Sequence, residues 1–503
     1  MLFGTFHSNN SLFLLSHLQN LDLSNNDFNH SNISSRFSEF LNLRYLNLNF
    51  SVFDGLVPLE ITYLSNLVSL DISQNDLTLE ATTFNRLAQN LTKLRELNLN
   101  EVNMSMVAPS SLANLSSSLS SLKLGSCYLQ GNFLEYVHPS NRLVSLDLSW
   151  NDLKLQTTSF SKLLQNLTNL RELDLSFVNL SSVAPSSFMN LPSSLHTLKL
   201  KYCGLQVNFI DYIHSSTLIS LDLSSNYDLV LDTIMFNKLV QNIPNLREVD
   251  LSYVNMSLVE PISLMNLSSS LSSLQLWNCG LRGEFPANLL QRPNLQVLYL
   301  GYNYDLIGCL PRSNWSCSLE RLSLSYTKIA IHLEGDLINN LRSVKILYLQ
   351  GCNFVGSNVA LFGNLRQLSE LYLSSNNFSG QIPLAFGNLE HLDWLSLSFN
   401  NFSGQIPFSL ANLKQLSYLY LDNNNLSGAI PNSFANLAQL RSLRLSNNQL
   451  VGPIPSQLSR LSSLISLDLS NNLLNATIPT SLFNLPYLDT LLLQRNLLMG
   501  HIS

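Results

Sequence analysis

The six cysteines of this 503-residue chain are the first residues whose types could do chemistry, as disulfides or as metal ligands. Four of them occupy equivalent positions, three turns apart, in a repeating sequence: Cys127, Cys203, Cys279 and Cys352. Three turns stacked at strand spacing span about 14 Å, about twice the Cα separation that a disulfide allows. The same spacing excludes a shared metal ion. We therefore expect four small, buried thiols.

Cys309 and Cys317 lie in a different setting, in the segment GCLPRSNWSC outside the regular motif. They are close in sequence, and an oxidising compartment would favour a disulfide between them. The alternative is a pair of unpaired thiols. For a secreted chain the sequence favours the disulfide.

Asn-x-Ser/Thr triplets are acceptors for N-linked sugar if the chain is exported. The sixteen triplets begin at Asn9, Asn29, Asn32, Asn49, Asn90, Asn103, Asn114, Asn166, Asn179, Asn255, Asn266, Asn314, Asn377, Asn401, Asn425 and Asn475. Some recur because Asn-Phe-Ser and Asn-Leu-Ser belong to the repeat itself. We expect all except Asn49 in turns or on the outer side, which leaves the strand face almost free of sugar.

Catalytic signatures are absent from the sequence, which has no Walker loop and no GxGxxG, HExxH or GxSxG motif. A column of aspartates recurs at the central strand position, interrupted by two lysines: Asp71, Lys123, Asp147, Asp174, Lys199, Asp222 and Asp250. An open, solvated sheet offers little desolvation to tune an acid–base pair. We therefore expect a solvated polar face, no enzyme activity, no metal and no cofactor.

The composition excludes other classes of function. Charged residues make up 12% of the chain and hydrophobic residues 45%, with a net charge of −6. The charges form no basic stripe, so nucleic acid is not the expected partner. No apolar run approaches the roughly 18 residues of a membrane span. Ser, Thr and Asn replace Lys and Glu over much of the surface, as suits a glycosylated extracellular protein.

The element that positions these residues is a repeat, best seen as LSELYLSSNNFSGQIP at 368–383. It returns at 392, 416, 440 and 464, a step of 24 residues, which is typical of a leucine-rich-repeat solenoid. Leu371 and Leu373 alternate with Tyr372, so a short strand directs its leucines to one side. One turn cannot bury those leucines alone, but stacked turns can.

The same pattern covers the whole chain, with first-strand leucines from Leu18 to Leu488 giving about 20 coils. A three-coil block of 76 residues is repeated over 67–366, and uniform 24-residue repeats fill 368–503. The predicted fold is an α/β repeat: a right-handed, curved leucine-rich-repeat solenoid over 1–503, with one parallel concave sheet of about 20 short strands. Neither end shows a polar cap, a signal peptide or a membrane helix, so we expect a piece of a longer protein with Leu491 and Leu493 partly exposed.

The motif LxxLxLxxNxLSGxIPxxLxxLxxL resembles the plant-specific class of leucine-rich repeats. HSNNSLFLLSHLQNLDLSNNDFN and FDGLVPLEITYLSNLVSLDIS are similar to the N-terminal part of plant receptor-like proteins, a group that includes disease-resistance receptors. The resemblance implies the ectodomain of a cell-surface glycoprotein on the extracellular side of the plasma membrane. It also implies defence or developmental signalling, a peptide or protein ligand, and a co-receptor that has its own kinase.

An extended strand face is the surface on which such solenoids bind partners. Aromatic residues, all but one of them with a polar tip, concentrate at its outward positions: Trp277, Tyr299, Tyr302, Tyr326, Tyr348, Tyr372, Trp394, Phe399, Tyr418 and Tyr420. Such residues are enriched in binding hot spots, but rings stacked from coil to coil would also stabilise the sheet. The alternative function is a secreted inhibitor of a microbial cell-wall-degrading enzyme, which the number of coils disfavours. An intracellular scaffold is disfavoured by the sugar acceptors.

Overall fold

The computed structural model describes residues 2–131, 142–313, 315–356 and 358–500. It divides the chain into two compact units, Met1–Asn255 and Met256–Ser503. Each unit is a stack of coils, and each coil contributes one three-residue strand to a parallel sheet, which we call the main sheet.

The main sheet has the predicted 20 strands, ten in each unit. In the first unit they are Asn20–Asp22, Tyr45–Asn47, Ser69–Asp71, Glu96–Asn98, Ser121–Lys123, Ser145–Asp147, Glu172–Asp174, Thr197–Lys199, Ser220–Asp222 and Glu248–Asp250. In the second they are Ser273–Gln275, Val297–Tyr299, Arg321–Ser323, Ile346–Tyr348, Glu370–Tyr372, Trp394–Ser396, Tyr418–Tyr420, Ser442–Arg444, Ser466–Asp468 and Thr490–Leu492. The predicted parallel leucine-rich-repeat sheet is confirmed.

The alternation of the motif sets the register of these strands. Glu370–Tyr372 pairs with Trp394–Ser396 so that Leu371 lies opposite Leu395, and both leucines are fully buried. Burial of each such side chain contributes about 1.5–3 kcal/mol to the free energy of folding. The residues on either side of each leucine point to the opposite face, which puts the variable side chains on the outside of the sheet.

An asparagine ladder closes the turn after many of the strands. Asn400 shows the pattern: its Nδ2 donates to the carbonyls of Leu373 (2.9 Å) and Leu397 (3.0 Å). Its Oδ1 accepts from the backbone N–H of Phe378 at 3.1 Å. One buried amide therefore supplies hydrogen-bond partners to backbone groups of two successive coils. These groups lie in the turns, where strand pairing does not provide partners.

The ladder cysteines adapt the same position. The Cys127 thiol donates to the carbonyl of Leu99 (3.0 Å), and its backbone N–H donates to Asn151 Oδ1 (3.0 Å). Burial raises the pKa of the Cys127 thiol far above its usual range, and burial also raises that of Cys352, to about 12. These cysteines are therefore structural thiols that form no disulfide with one another; Cys127, Cys203 and Cys279 are buried as expected, whereas Cys352 is half-buried.

Helices and a second row of short strands complete the coils. The α-helices are Ala81–Asn90, Thr157–Asn166, Thr233–Asn242 and Gly335–Asn340, the first three in step with the 76-residue period. The described 3-10 helices are Ser11–Leu14, Ser35–Glu39, Leu59–Tyr63, Pro109–Asn114, Pro185–Asn190, Val207–Asp211, Pro261–Asn266, Ala287–Gln291, Val359–Asn364, Leu384–Asn388, Phe408–Asn412, Asn432–Asn436, Ser456–Arg460 and Thr480–Asn484.

The second row comprises Ser31–Asn32, Phe53–Leu56, Asp76–Thr78, Gln130–Gly131, Asp152–Leu153, Val230–Asp232, Asn255–Leu258, Arg282–Glu284, Asp305–Ile307, Ala330–His332, Asn353–Val355, Ser379–Gly380, Asn401–Gln405, Asn425–Gly428, Gln449–Pro453 and Leu473–Asn475. Leu491 and Leu493 are half-buried, as expected. In the part of the chain that the structure describes, no helix combines the length and the apolar character that a bilayer crossing needs.

Candidate ligand-binding surface

Nine of the ten aromatic residues singled out from the sequence touch one another on the main sheet of the second unit. We call them the aromatic cluster: Trp277, Tyr299, Tyr302, Tyr326, Tyr348, Tyr372, Trp394, Tyr418 and Tyr420. Each of the nine side chains is half-buried. The cluster therefore combines rings held by their neighbours with edges that remain open to solvent.

One branch of the cluster follows the strands. Tyr348 and Tyr372 lie opposite each other in neighbouring strands with ring centroids 4.6 Å apart. Trp394 is 5.4 Å from Tyr372 and stacks on Tyr418 at 4.1 Å. Tyr420 meets the edge of Trp394 at 5.2 Å. Ring pairs at these separations contribute about 0.5–1.5 kcal/mol each beyond their buried area.

The other branch follows the turns just after the strands. Tyr302 lies 4.7 Å from Trp277 and 4.8 Å from Tyr326. Trp277 joins the two branches because its ring also reaches Tyr348, at 6.3 Å. Trp277 and Tyr348 belong to strands three coils apart, so the indole crosses the intervening coils.

Two small residues make that crossing possible. A Cβ atom on Gly301 would lie 3.2 Å from carbons of the Trp277 ring and 2.8 Å from Ser323 Oγ. Ser323 itself is fully buried and lies in register between Tyr299 and Tyr348. Larger residues at either position would push the indole away from the sheet.

Phe399 is the predicted site residue that the structure leaves outside the cluster. Its ring is 58% exposed, and it makes no ring contact with the described residues. It lies in the turn after the strand Trp394–Ser396, at a positive φ of 55°. Tyr302 and Tyr326 share this conformation inside the cluster, but Ser375 and Asn423 occupy the equivalent turn position on either side of Phe399, so neither adjoining coil offers it a ring there.

A single carboxylate organises the polar side of the cluster. Tyr348 and Tyr372 each donate a hydroxyl hydrogen bond to Glu370 Oε2, at 3.2 Å. Burial, followed by the negative charge of Glu370, raises the pKa of both phenols well above the usual tyrosine value. Burial likewise raises the pKa of Tyr299. At the far end, the guanidinium of Arg444 lies 4.5 Å above the Tyr420 ring.

The cluster thus offers rings for apolar contact together with a carboxylate, a guanidinium and neutral phenols for hydrogen bonding. The buried Nε1 of Trp394 has no hydrogen-bond partner among the described residues. A surface of this chemistry is suited to an extended peptide or a protein loop, since such ligands bring both apolar side chains and backbone polar groups.

The remaining candidate residues lie away from this surface. Cys309 is exposed and Cys317 is buried, and both are thiols here, so their disulfide stays a prediction. Burial raises the pKa of Cys317 to about 11. Among the described sequon asparagines, Asn49, Asn103 and Asn166 are half-buried and the other twelve are exposed. Asn314 lies outside the described residues.

The aspartate column is a hydrogen-bonded polar face, as expected. Asp174 forms an ion pair with Lys199 at 3.5 Å, and the two are directly opposite in register. Asp250 is half-buried, and its burial raises its pKa. The described residues contain no group of three or more His, Cys, Asp or Glu side chains that could hold a metal ion.

Sequence reasoning missed a second group of rings, in the first unit. We call it the aromatic row: Trp150, Phe177, Tyr202, Tyr227 and Tyr253. Successive centroids are 3.5, 5.2, 6.0 and 6.2 Å apart, and four of the five rings are exposed.

The sequence does indicate this row, through the residues that occupy one position of the turns. Trp150, Phe177, Tyr202 and Tyr253 have φ values of 52–65°, at a turn position where many other coils use Asn, Ser or Gln and where Tyr302 and Tyr326 stand in the second unit. Bulky residues are rare in that conformation and cost free energy there, so four aromatics at one strained position form a pattern visible in the sequence.

Comparisons with known proteins agree with this architecture. The family model of the leucine-rich repeat region matches residues 322–449, and the single leucine-rich repeat matches 169–191, 439–461 and 463–485. The chain is also similar to the leucine-rich-repeat ectodomain of the Arabidopsis receptor kinase HAESA in complex with an IDA peptide hormone ligand. That similarity has a TM-score of 0.51 at 26% identity and covers 96% of this chain and 83% of that one.

Two curated relatives are plant receptor-like proteins, a narrower class than leucine-rich-repeat proteins in general. The chain is 40% identical over 194 residues to receptor-like protein Cf-9 of Solanum pimpinellifolium, covering 38% of this chain and 22% of Cf-9. It is 33% identical over 414 residues to receptor-like protein 41 of Arabidopsis thaliana, covering 71% of this chain and 45% of the relative. The matched stretches thus span less than half of each relative.

The parallel sheet, the asparagine ladder and the repeat matches define a leucine-rich-repeat solenoid. Within that class, the curated relatives that the chain matches are plant receptor-like proteins, one of them over 71% of this chain.

Proposed function

We propose that this chain is the recognition part of a plant cell-surface receptor that acts in defence or developmental signalling. The aromatic cluster is the surface that contacts a peptide or protein ligand. One observation carries the proposal: nine half-buried aromatic residues form a continuous surface on the main sheet, with Glu370 and Arg444 at hand for polar contacts. None of the nine is a sugar acceptor, so N-linked glycans would leave their positions open.

The comparisons support the coarser part of this proposal. The relatives are receptor-like proteins, and HAESA is a receptor kinase bound to a peptide hormone. We infer that the whole protein lies on the extracellular side of the plasma membrane and signals with a co-receptor that has its own kinase. The ligand's identity depends on side chains that vary from coil to coil.

A panning experiment tests whether the chain binds peptides through the aromatic cluster. The secreted chain is immobilised and exposed to extracellular peptide fractions from plant tissue and from microbial cultures. The same fractions are passed over a variant carrying Tyr348→Ala, Tyr372→Ala and Trp394→Ala. We expect peptides retained by the unmodified chain to be lost by the variant, because each truncated hot-spot ring costs about 1–3 kcal/mol of binding free energy.

A matched control replaces three exposed aromatics away from the main sheet, Tyr63, Phe408 and Tyr487, by Ala. The control should keep both its ligand and its melting temperature. If the cluster variant loses melting temperature while affinity per folded molecule is unchanged, the rings are structural and the proposed site is wrong. Inhibition of a microbial polygalacturonase that is lost in the cluster variant would instead favour the inhibitor function.

A further inference from the structure

The aromatic row borders an open groove in the first unit. The groove has a volume of about 300 Å³, and its lining includes Asn179, Ser181, Tyr202, Gly204 and Tyr227. The two tyrosine rings are 52% and 61% exposed. Their centroids are 6.0 Å apart and their planes are inclined at 78°, so they form two walls of a corner. A volume of this order is enough for a small ligand.

A glycine keeps the floor of this groove open. Gly204 has a φ of +68°, in the middle coil of the three that form the groove. A Cβ atom at this position would lie 3.4 Å from Ser181 Cβ. Since Gly204 carries no side chain, the path from Asn179 to Tyr227 is unobstructed.

Asn179 is exposed at the edge of the groove and begins the sequon Asn179-Leu180-Ser181. Its Oδ1 accepts hydrogen bonds from the Ser181 backbone N–H at 3.0 Å and from Ser181 Oγ at 2.7 Å. These two bonds hold the amide plane. The Nδ2 atom makes no hydrogen bond to the described residues, and Nδ2 is the atom to which an N-linked glycan is attached.

We propose that Asn179 carries an N-linked glycan whose first N-acetylglucosamine residues occupy this groove against Tyr202 and Tyr227. Nδ2 attacks the anomeric carbon of a lipid-pyrophosphate-linked oligosaccharide. The new C–N bond forms as the bond from that carbon to the pyrophosphate oxygen breaks; the lipid pyrophosphate leaves and Nδ2 loses one proton to a base. This inference rests on the export of the chain that the proposed function requires.

The chemistry of the walls fits a sugar of this kind. The C–H face of a pyranose ring carries partial positive charge and packs on the negative face of an aromatic ring. Sugar hydroxyl groups would meet Asp228 and Ser181, polar side chains that also line the groove. Because the glycan is tethered at the edge of the groove, its effective concentration there is high, so a modest intrinsic affinity suffices.

The chain provides a matched comparison for this site. Asn103 occupies the equivalent position in the preceding three-coil block and has the same sequon pattern, with its Oδ1 bonded to the Ser105 N–H at 3.1 Å. Ser126 and Asp152 stand there in place of Tyr202 and Tyr227. Tyr128 stands there in place of Gly204, so a glycan on Asn103 lacks both the two aromatic walls and the open floor, and the comparison reports on the groove as a whole.

The test uses the 503-residue chain secreted from plant cells. Glycopeptide mass spectrometry measures occupancy at Asn179 and Asn103. Hydroxyl-radical footprinting then compares the wild-type chain with the variants Asn179→Gln and Asn103→Gln, with the exposed Tyr304 as internal reference. Because the sugar covers the rings, we expect Tyr202 and Tyr227 to be labelled about twofold more slowly in the wild-type chain, which carries the glycan, than in Asn179→Gln. In Asn103→Gln, Tyr202 and Tyr227 should be labelled at the same rate as in the wild-type chain.

A second variant, Tyr202→Ala with Tyr227→Ala, tests the contact from the other side. The Asn179 glycan should become easier to remove with a peptide N-glycosidase under native conditions, while the Asn103 glycan is unaffected. Sugar at other sequons but none at Asn179, or equal tyrosine labelling with and without it, would overturn the inference and leave the proposed function standing. A secreted-pathway product without sugar at any sequon would refute both.

Discussion

Replacement of Asn400 by Ala is the sharpest test of the asparagine ladder. The structure allows its cost to be worked out group by group. The carbonyls of Leu373 and Leu397 each accept from a second ladder amide, that of Asn376 or Asn424, so each keeps one partner after the substitution. Each lost hydrogen bond of this kind costs about 0.5–1 kcal/mol.

The Phe378 N–H has a different fate. Asn400 Oδ1 is its recorded acceptor, and the site is buried, so Ala leaves this donor without a partner. An orphaned buried donor costs about 1–3 kcal/mol. Together the three losses predict that Asn400→Ala lowers the free energy of unfolding by about 2–5 kcal/mol.

Denaturant unfolding followed by circular dichroism measures this loss. Asn412→Ala is the matched control, because Asn412 is exposed in the 3-10 helix Phe408–Asn412 and should change stability by less than about 0.5 kcal/mol. Asn400→Asp adds a comparison: it keeps an acceptor for Phe378 but loses both donors when ionised, so its cost should rise as the carboxyl group deprotonates. A cost for Asn400→Ala equal to that of the control would refute the reasoning.

Three further predictions follow from the site. In Glu370→Gln, the pKa values of Tyr348 and Tyr372 should fall, because the carboxylate raises both. Titration followed by ultraviolet absorbance measures these pKa values. Unchanged pKa values would show that the charge of Glu370 does not contribute to the shift. Since the folded-state pKa values are raised, both tyrosines stabilise the fold below the usual tyrosine pKa, and that contribution is lost as the pH rises towards the folded values. Gly301→Ala should displace Trp277 and cost about 1–3 kcal/mol, seen as a weakened near-ultraviolet circular dichroism signal, whereas Gly335→Ala, whose added Cβ meets no atom within 4 Å, should be tolerated. In the secreted chain, non-reducing mass mapping should find Cys309 joined to Cys317, with Cys127 and Cys203 unreactive to iodoacetamide until the chain unfolds; a link between two ladder cysteines would show that the coil register is wrong.

The repeat made the main sheet predictable in detail. Leucine at alternate positions specifies which face is buried, so the pairing of Leu371 with Leu395 follows from the spacing alone. The ladder position of Cys127 followed in the same way, because its distance from the strand is constant.

The lateral reach of side chains was not predictable from spacing. Trp277 and Tyr348 belong to strands three coils apart, about 14 Å along the sheet, yet their rings meet because Gly301 and Ser323 leave room. Phe399 shows the converse: it is in sequence register with the cluster, but Ser375 and Asn423 occupy its turn position in the adjoining coils, so no ring lies beside it there. Tyr227 lies two residues after the repeating position, which Ser225 occupies, so periodicity did not connect it to the aromatic row.

The ladder also has a consequence for how such a chain changes over generations. In the uniform repeats, each amide from Asn400 onwards serves carbonyls 27 residues and 3 residues earlier and an N–H 22 residues earlier, as Asn400 does with Leu373, Leu397 and Phe378. Unequal recombination that adds or removes whole coils preserves all of these offsets for the coils that remain. An exchange that breaks within a coil shifts them and leaves buried polar groups unmatched. Whole coils are therefore the units in which a binding surface of this kind can be lengthened, shortened or reshuffled.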